Sequence, residues 1–272
     1  MNTLRTGDLR RGDVLLFHGN GLLSKFIRLF DGSDYSHAAI FDGAKVVGAE
    51  ATSGDGIEHN DVAASCATAA YTHVYRFINN GKQILNIDLS YDPVGANVND
   101  FLKTPEAYAY SQIILLGLLL GTRRIPIPGI AQILRHFLED AADHLNKMIN
   151  AGKKVIICSE LVYKCFYDVG NDAYGIEIAG VDPNVVQDVL QQRRDLMPSV
   201  DPTADAAHFG KDIGAFMSTY RLARGMTSIS KAIGDAAAKA VAFEGPHAVP
   251  EFVTPRDLAT SPNLMLVGQL VP

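Results

Sequence analysis

The feature that most constrains the fold is a short apolar run that ends at a cysteine. Residues 155–157 are Val-Ile-Ile, and Cys158 follows them directly. Beyond the cysteine, apolar side chains recur at helical spacing, at Leu161, Val162, Cys165 and Phe166. Gly170 is placed to end such a helix. The pattern therefore predicts a helix that begins at Cys158.

A cysteine at a helix N-terminus has a distinct chemistry. The unsatisfied N–H groups and the positive end of the helix dipole favour a thiolate, which is the nucleophilic form of the side chain. The backbone N–H of Ser159 could also face an oxyanion, so the geometry suits acyl transfer. The alternative is that Cys158 is a small buried apolar residue, as many free cysteines are. A catalytic cysteine needs a general base, whereas a buried apolar one does not. The presence of a suitable base elsewhere in the chain therefore favours the catalytic interpretation.

Composition excludes some classes of protein. The 272 residues carry a formal net charge of −6, which argues against nucleic acid as the main partner because phosphate binding normally needs a basic surplus. The three cysteines are an odd number with no paired framework. Cys158 and Cys165 are separated by about 10 Å along a helix, too far for a disulfide. We interpret Cys165 as a core residue and leave Cys66 unassigned.

The chain shows no export or membrane-spanning signal. Its N-terminus lacks the apolar core of a secretory signal peptide. The most hydrophobic run, 113–120 within 108–121, is shorter than the roughly 20 residues of a spanning helix. We therefore expect a protein that is cytoplasmic as synthesised. A helix over 108–121 that is apolar nearly all round is either buried in the core or a surface for lipid or acyl chains.

Local patterns place the other elements. Apolar runs and alternation predict strands at 14–17, 37–41, 45–51, 72–77 and 264–270, with Asp42-Gly43 as a hairpin turn. Helical spacing and capping signals predict helices at 22–30, 104–121, 130–149, 181–197, 206–241 and after Thr254-Pro255.

A candidate base lies at the start of a predicted strand. His37 follows Ser36 and precedes an apolar run, and Glu50 lies near the end of the next strand. If the two strands form a hairpin, Glu50 can reach His37 and fix the tautomer and orientation of its ring. Three other carboxylates compete for this orienting role, namely Asp34, Asp55 and Glu58.

Taken together, four segments resemble a known family. They are Gly12-Asp13-Val14-Leu15-Leu16-Phe17, Ser36-His37-Ala38-Ala39-Ile40-Phe41, Gly48-Ala49-Glu50-Ala51 and Cys158-Ser159-Glu160-Leu161-Val162. They are similar to the circularly permuted papain-fold amidases of the NlpC-like superfamily, in particular the YaeF and YiiX group. In the permuted members the histidine strand precedes the cysteine helix, as it does here. The resemblance implies Cys158 as nucleophile, His37 as base and Glu50 as third polar residue.

The resemblance also implies a fold and an activity. The fold would be α+β, a single domain over 1–272 in which a small antiparallel sheet packs on the cysteine helix. Its core would comprise about 7–77, 153–170 and 250–272, with helical insertions at about 91–152 and 181–245. The activity would be cysteine-dependent cleavage of amide bonds, most simply in cell-wall (peptidoglycan) peptides. Without a signal peptide, such a protein would reach the cell wall by another route, for example a dedicated secretion system that delivers it as an antibacterial toxin, and an immunity protein would be a further partner.

Two other functions are also compatible with the sequence. A lipid-directed acyltransferase or esterase on the same fold would use 108–121 to contact an acyl chain. A non-catalytic binding or membrane-perturbing protein would not need Cys158 at all. None of the three readings requires a cofactor, and no His, Cys, Asp or Glu cluster in the sequence has the spacing of a metal site.

Overall fold

The computed structural model of this chain describes residues 1–49, 57–79, 82–83, 92–103, 111–122, 131–150, 155–170, 174–178, 206–223, 250 and 253–272. Strands and helices are mixed along these residues, so the fold class is α+β. The cysteine helix and the histidine strand are both present and lie in contact.

The strands form one sheet of eight. They are β1 (Thr3–Leu4), β2 (Val14–Gly19), β3 (His37–Phe41), β4 (Val46–Ala49), β5 (Ile57–Asn60), β6 (Ala69–Asn79), β7 (Lys82–Gln83) and β8 (Leu264–Leu270). The order is β1-β8-β6-β2-β3-β4-β5, and β7 pairs with β6. The pair β1–β8 is parallel and the other pairs are antiparallel. The sheet is therefore mixed and larger than the small antiparallel sheet expected from the sequence.

Eight helices are described. They are α1 (Leu22–Asp31), α2 (Val62–Ala67), α3 (Pro93–Lys103), α4 (Ser111–Thr122), α5 (Ala131–Asn150), α6 (Cys158–Tyr167), α7 (Ala206–Ala223) and α8 (Pro255–Ala259). The sequence predicted α1, α5, α6 and α8 within a few residues, and α8 begins with the expected cap, in which Thr254 and Asp257 bond each other's backbone N–H. The helix predicted at 181–197 and the predicted helix start at 104–106 lie outside the described residues.

Alternation along the strands divides the sheet into two faces. Val14, Leu16, Ala38 and Ile40 belong to the larger buried cluster, which also contains residues of α1, α4 and α6. We call this side the helical face. The neighbouring residues belong to a smaller cluster, packed with Val62 of α2, and we call that side the opposite face; its strand members include Leu15, Phe17, Ala39, Phe41 and Val74.

The helical face carries several layers of helix. Helix α6 packs on β3 and β4, α1 packs on β2 and α4, and α5 and α7 pack on α4. Every residue from 113 to 120 in α4 is buried, so this stretch lies in the protein core. Contact with lipid through 108–121 stays a prediction, and 108–110 lie outside the described residues. No helix in the described part of the chain is long and apolar enough to span a membrane.

Candidate functional site

Cys158 occupies the position that the sequence predicted for it. It is the first residue of α6, after the extended residue Ile157, and it is fully buried. The Ile157 N–H donates to Oε2 of Glu160 at 3.3 Å, which satisfies one backbone donor at this end of the helix. Cys158 belongs to the same buried cluster as Ala38 and Ile40 of β3. The thiol therefore lies on the helical face of the sheet.

Ser159 is fixed by a contact from a distant part of the chain. Its hydroxyl donates to the carbonyl oxygen of Val253 at 2.6 Å, and the side chain is fully buried. As the second residue of α6 it has a backbone N–H without an acceptor inside the helix, since the first four N–H groups of any helix lack one. That N–H is therefore suited to face an oxygen that approaches Cys158.

His37 begins β3 and is also buried. It pairs with Phe17 of β2, and the centroids of the two rings lie 5.4 Å apart. Strand alternation places His37 on the side of Ala39 and Phe41, which is the opposite face. The structure thus brings the elements that carry His37 and Cys158 into contact. The two side chains start from different faces of the sheet, and His37 sits at the end of its strand.

Of the four carboxylates that could orient His37, only the side chain of Asp34 is described by the structure. Glu50 and Asp55 lie outside the described residues, and Glu58 is described by its backbone in β5 alone. Asp34 is exposed; its negative charge adds to the effect of burial in raising the pKa of Tyr35 and Tyr75, and it opposes the lowering of the pKa of His73 by burial. Its field therefore acts on a second group of polar side chains near the start of β3.

That second group is a hydrogen-bonded cluster of Tyr35, His73 and Tyr75. The Tyr35 hydroxyl lies 2.7 Å from Nδ1 of His73 and 2.9 Å from the Tyr75 hydroxyl. Burial raises the pKa of Tyr35 and Tyr75 and lowers that of His73, so the neutral forms are favoured. His73 pairs with Leu16 and therefore lies on the helical face, the side of Cys158.

Sequence reasoning did not identify this cluster, although a signal was present. Aromatic or imidazole rings occupy alternate positions of β6, at Tyr71, His73, Tyr75 and Phe77. This spacing puts all four on one face of a strand. The partner Tyr35 comes from a segment far away in the sequence, and its contact could be seen only in three dimensions.

The remaining thiols differ from Cys158 in position. Cys165 lies two turns further along α6, and burial raises the pKa of its thiol. Cys66 lies in α2, against the opposite face, and burial raises the pKa of its thiol as well. Among the described residues, no three His, Cys, Asp or Glu side chains are grouped so that they could hold a metal ion.

Comparison with known proteins shows a similarity to a solved structure but to no known family or curated sequence. No protein-family model and no curated protein sequence matches the chain. The crystal structure of metalloprotein yiiX from Escherichia coli O157:H7, a DUF1105 protein, is similar over 97% of this chain and 98% of that chain. The TM-score is 0.43 and the sequence identity is 14%.

Proposed function

We propose that this protein is a cysteine hydrolase that cleaves amide bonds, with Cys158 as its nucleophile. One observation carries the proposal: Cys158 is the first residue of a helix that packs directly on the strand begun by His37. The helix dipole and the free N–H groups at that end favour a thiolate. The fold in this proposal is a permuted papain-like core of the NlpC-like superfamily.

The proposed reaction has two steps. The Cys158 thiolate attacks the carbonyl carbon of the amide, and the backbone N–H of Ser159 stabilises the oxyanion. The C–N bond then breaks as the imidazolium of His37 gives its proton to the leaving amine, which leaves a thioester on Cys158. Water, deprotonated by His37, hydrolyses the thioester and restores the thiol. Peptides of the cell wall are the proposed substrates, reached through a dedicated secretion system, with an immunity protein as the proposed partner.

The hairpin of β3 and β4 that the sequence predicted is present in the structure. Ile40 lies opposite Val47 and Phe41 lies opposite Val46. Glu50 itself lies outside the described residues, so its orienting role in the proposal is inferred from the sequence. In the proposal its carboxylate holds the imidazole ring, as the sequence suggested.

The proposed base and nucleophile start from different faces of the sheet, His37 from the opposite face and Cys158 from the helical face. His37 is the first residue of β3, so its imidazole must reach the thiol around the end of the strand. His73 is an alternative base, because it lies on the same face as Cys158. The two histidines therefore make a matched pair of variants.

The experiment measures alkylation of Cys158 by iodoacetamide between pH 5 and 9, followed site by site by mass spectrometry. We expect Cys158 to be alkylated already in the acidic part of this range, and faster than the other cysteines. His37→Ala should remove that low-pH reactivity, Glu50→Gln should reduce it, and His73→Ala should leave it unchanged. Cys165 is the internal control, since it is equally buried on the same helix.

Several results would count against the proposal. If Cys158 reacts no faster than Cys165 at any pH, burial sets the reactivity of both thiols, and Cys158 is not a nucleophile. If His73→Ala rather than His37→Ala suppresses the reaction, the base has been assigned to the wrong strand. If Cys158→Ala leaves the biological effect of the protein intact, a binding role replaces the hydrolase.

A further inference from the structure

The Tyr35–His73–Tyr75 cluster presents one ring nitrogen that no other group uses. The Tyr35 hydroxyl lies between the other two side chains, 2.7 Å from Nδ1 of His73 and 2.9 Å from the Tyr75 hydroxyl. Nε2 of His73 has no hydrogen-bond partner among the described residues, and it is not enclosed by protein. Both tyrosines are buried, whereas His73 is partly exposed. Nε2 is therefore the atom through which this cluster can meet a ligand.

The two hydroxyl protons decide which nitrogen of His73 carries its proton. If Nδ1 carried it, Nδ1 would donate to Tyr35 and Tyr35 to Tyr75, and the Tyr75 O–H would have no acceptor in the described part of the chain. A buried donor without an acceptor is costly. If Nε2 carries the proton, Tyr75 donates to Tyr35 and Tyr35 donates to Nδ1, so both hydroxyl protons have acceptors. The cluster therefore favours the neutral imidazole with its N–H at Nε2.

The surroundings of His73 also keep this imidazole uncharged. Burial lowers the pKa of His73, and a doubly protonated ring would again leave the Tyr75 O–H without an acceptor. With its proton at Nε2, His73 offers a neutral donor and no accessible lone pair, which argues against it as the base. The negative charge of Asp34 acts on His73 and disfavours an anionic acceptor. The matching group on a ligand is a neutral oxygen, such as a carbonyl.

The strand register relates this donor to the proposed nucleophile. His73 pairs with Leu16, and Leu16 pairs with Ala38, so the three residues form one row across the helical face. Two strand spacings separate the backbones of His73 and Ala38, a distance of about 10 Å. Helix α6 packs on β3, and Cys158 belongs to the same buried cluster as Leu16 and Ala38. An extended segment of about three residues would span that distance.

Aromatic rings continue from His73 along the same face. The ring centroids of His73 and Tyr71 lie 4.7 Å apart, and those of Tyr71 and His18 lie 4.4 Å apart. His18 pairs with Tyr71, and both are partly exposed. Flat rings of this kind suit a planar group. A peptide amide combines a planar group with a neutral carbonyl oxygen, so it fits both the rings and the donor.

We propose that His73 is a substrate-binding residue of the hydrolase, whose Nε2–H donates to a backbone carbonyl oxygen of the peptide a few residues from the bond that Cys158 attacks. Tyr71 lies against the adjoining amide. Tyr35 is a positioning residue, because its hydroxyl donates to Nδ1 and so keeps the proton of His73 at Nε2. This subsite rests on the proposed function, in which His37 is the base.

The first test is a titration with N-acetyl-alanyl-alanine amide, monitored by nitrogen-15 nuclear magnetic resonance in a Cys158→Ala background that prevents turnover. We expect neutral His73 to carry its proton at Nε2, and Tyr35→Phe to populate both tautomers. The peptide should shift the Nε2 signal. His73→Phe should weaken binding by about tenfold, since the donor is lost. His73→Gln should recover most of the affinity, because its amide can accept from Tyr35 and also donate outward.

The second test links the subsite to Cys158. Iodoacetyl-alanyl-alanine amide should alkylate Cys158 faster than iodoacetamide does, because its peptide carbonyls can reach His73. His73→Phe should abolish this advantage and leave the rate with iodoacetamide unchanged. His37→Ala, in contrast, should slow both reagents, since it removes the proposed base.

Several results would overturn the subsite. They are a proton at Nδ1 of neutral His73, acetate binding as tightly as the peptide amide, and both His73 variants binding like the parent chain. A peptide that binds at His73 but gains no rate advantage would show that the site does not serve Cys158, which also overturns the proposal. If Cys158 is inert to both reagents, the hydrolase fails, and the titration alone decides whether His73 binds an amide.

Discussion

The two faces of the sheet differ in what covers them. The helical face is covered by α6 and α1, with α4, α5 and α7 behind them, whereas α2, a six-residue helix, packs against the opposite face. The opposite face nevertheless holds the most buried ion pair among the described residues, between Asp13 and Arg76. Stability on one side therefore rests on apolar packing through several layers. On the other side it depends on a smaller core and on the buried Asp13–Arg76 ion pair.

The largest expected effect comes from breaking that ion pair. Arg76→Ala leaves the Asp13 carboxylate without the two bonds that compensate for its burial. We expect a loss of about 3–5 kcal/mol in the free energy of unfolding, which urea denaturation would measure. Lys164→Ala, which removes an exposed ion pair with Asp168 on the surface of α6, should cost less than about 1 kcal/mol and serves as the control.

A double variant sharpens the interpretation. Burial raises the pKa of Asp13 even though Arg76 donates to it, so the cost of desolvating this carboxyl is large. Replacing both residues by alanine removes that cost together with the attraction. We therefore expect the double variant to be more stable than Arg76→Ala alone. A double variant as unstable as the sum of the two single ones would show that the pair is not coupled.

Leu15 and Leu16 test the two faces at adjacent positions of one strand. Both side chains are fully buried, Leu15 on the opposite face and Leu16 on the helical face. Replacement by alanine should cost about 2–5 kcal/mol at either site. Leu16→Ala should lie in the upper half of that range, because layered helices cannot collapse into the cavity, and Leu15→Ala in the lower half. Equal losses in urea denaturation would mean that the number of layers does not matter.

Replacing two glycines by alanine compares how tightly α4 and α7 are packed at those positions. A Cβ atom on Gly117 of α4 would overlap the ring of Phe216, whereas one on Gly214 of α7 meets nothing within 4 Å. Gly117→Ala should therefore cost about 1–3 kcal/mol through overpacking. Gly214→Ala should instead stabilise the protein by about 0.5–1 kcal/mol, since alanine favours helix. Thermal denaturation of both variants gives the sign of each change in stability directly.

The elements that were predicted correctly are those with a local signal in the sequence. The helix at Cys158, the strand at His37 and the capped helix after Thr254 were all confirmed, because apolar spacing and capping residues act over a few positions. β5 and α2 were not predicted, since both are short and lack strong periodicity. The parallel pairing of β1 with β8 joins the two ends of the chain and has no local signal.

The candidate site was predictable to the same extent. Local patterns placed Cys158 at a helix start and His37 at a strand start, but the faces from which their side chains start depend on the register of the strands. Contacts between distant segments were missed for the same reason. The Asp13–Arg76 pair and the Tyr35–His73 bond join residues 63 and 38 positions apart.

The smallest effect concerns His73, which lies on the helical face but is only partly buried. Burial lowers the pKa of His73 below its ordinary value of 6.5, although the charge of Asp34 opposes the shift. Below that value the unfolded chain binds a proton that the folded chain does not, so stability falls as the pH drops from 6.5. Protonated His73 would also have to donate to the Tyr35 hydroxyl, whose own O–H would then donate to the Tyr75 hydroxyl. Urea denaturation at pH 7.5 and 5.5 should show a smaller loss in His73→Phe than in the native chain, and His136→Asn, at an exposed site on α5, is the control. An unchanged pH dependence in His73→Phe would assign the acid sensitivity to other groups.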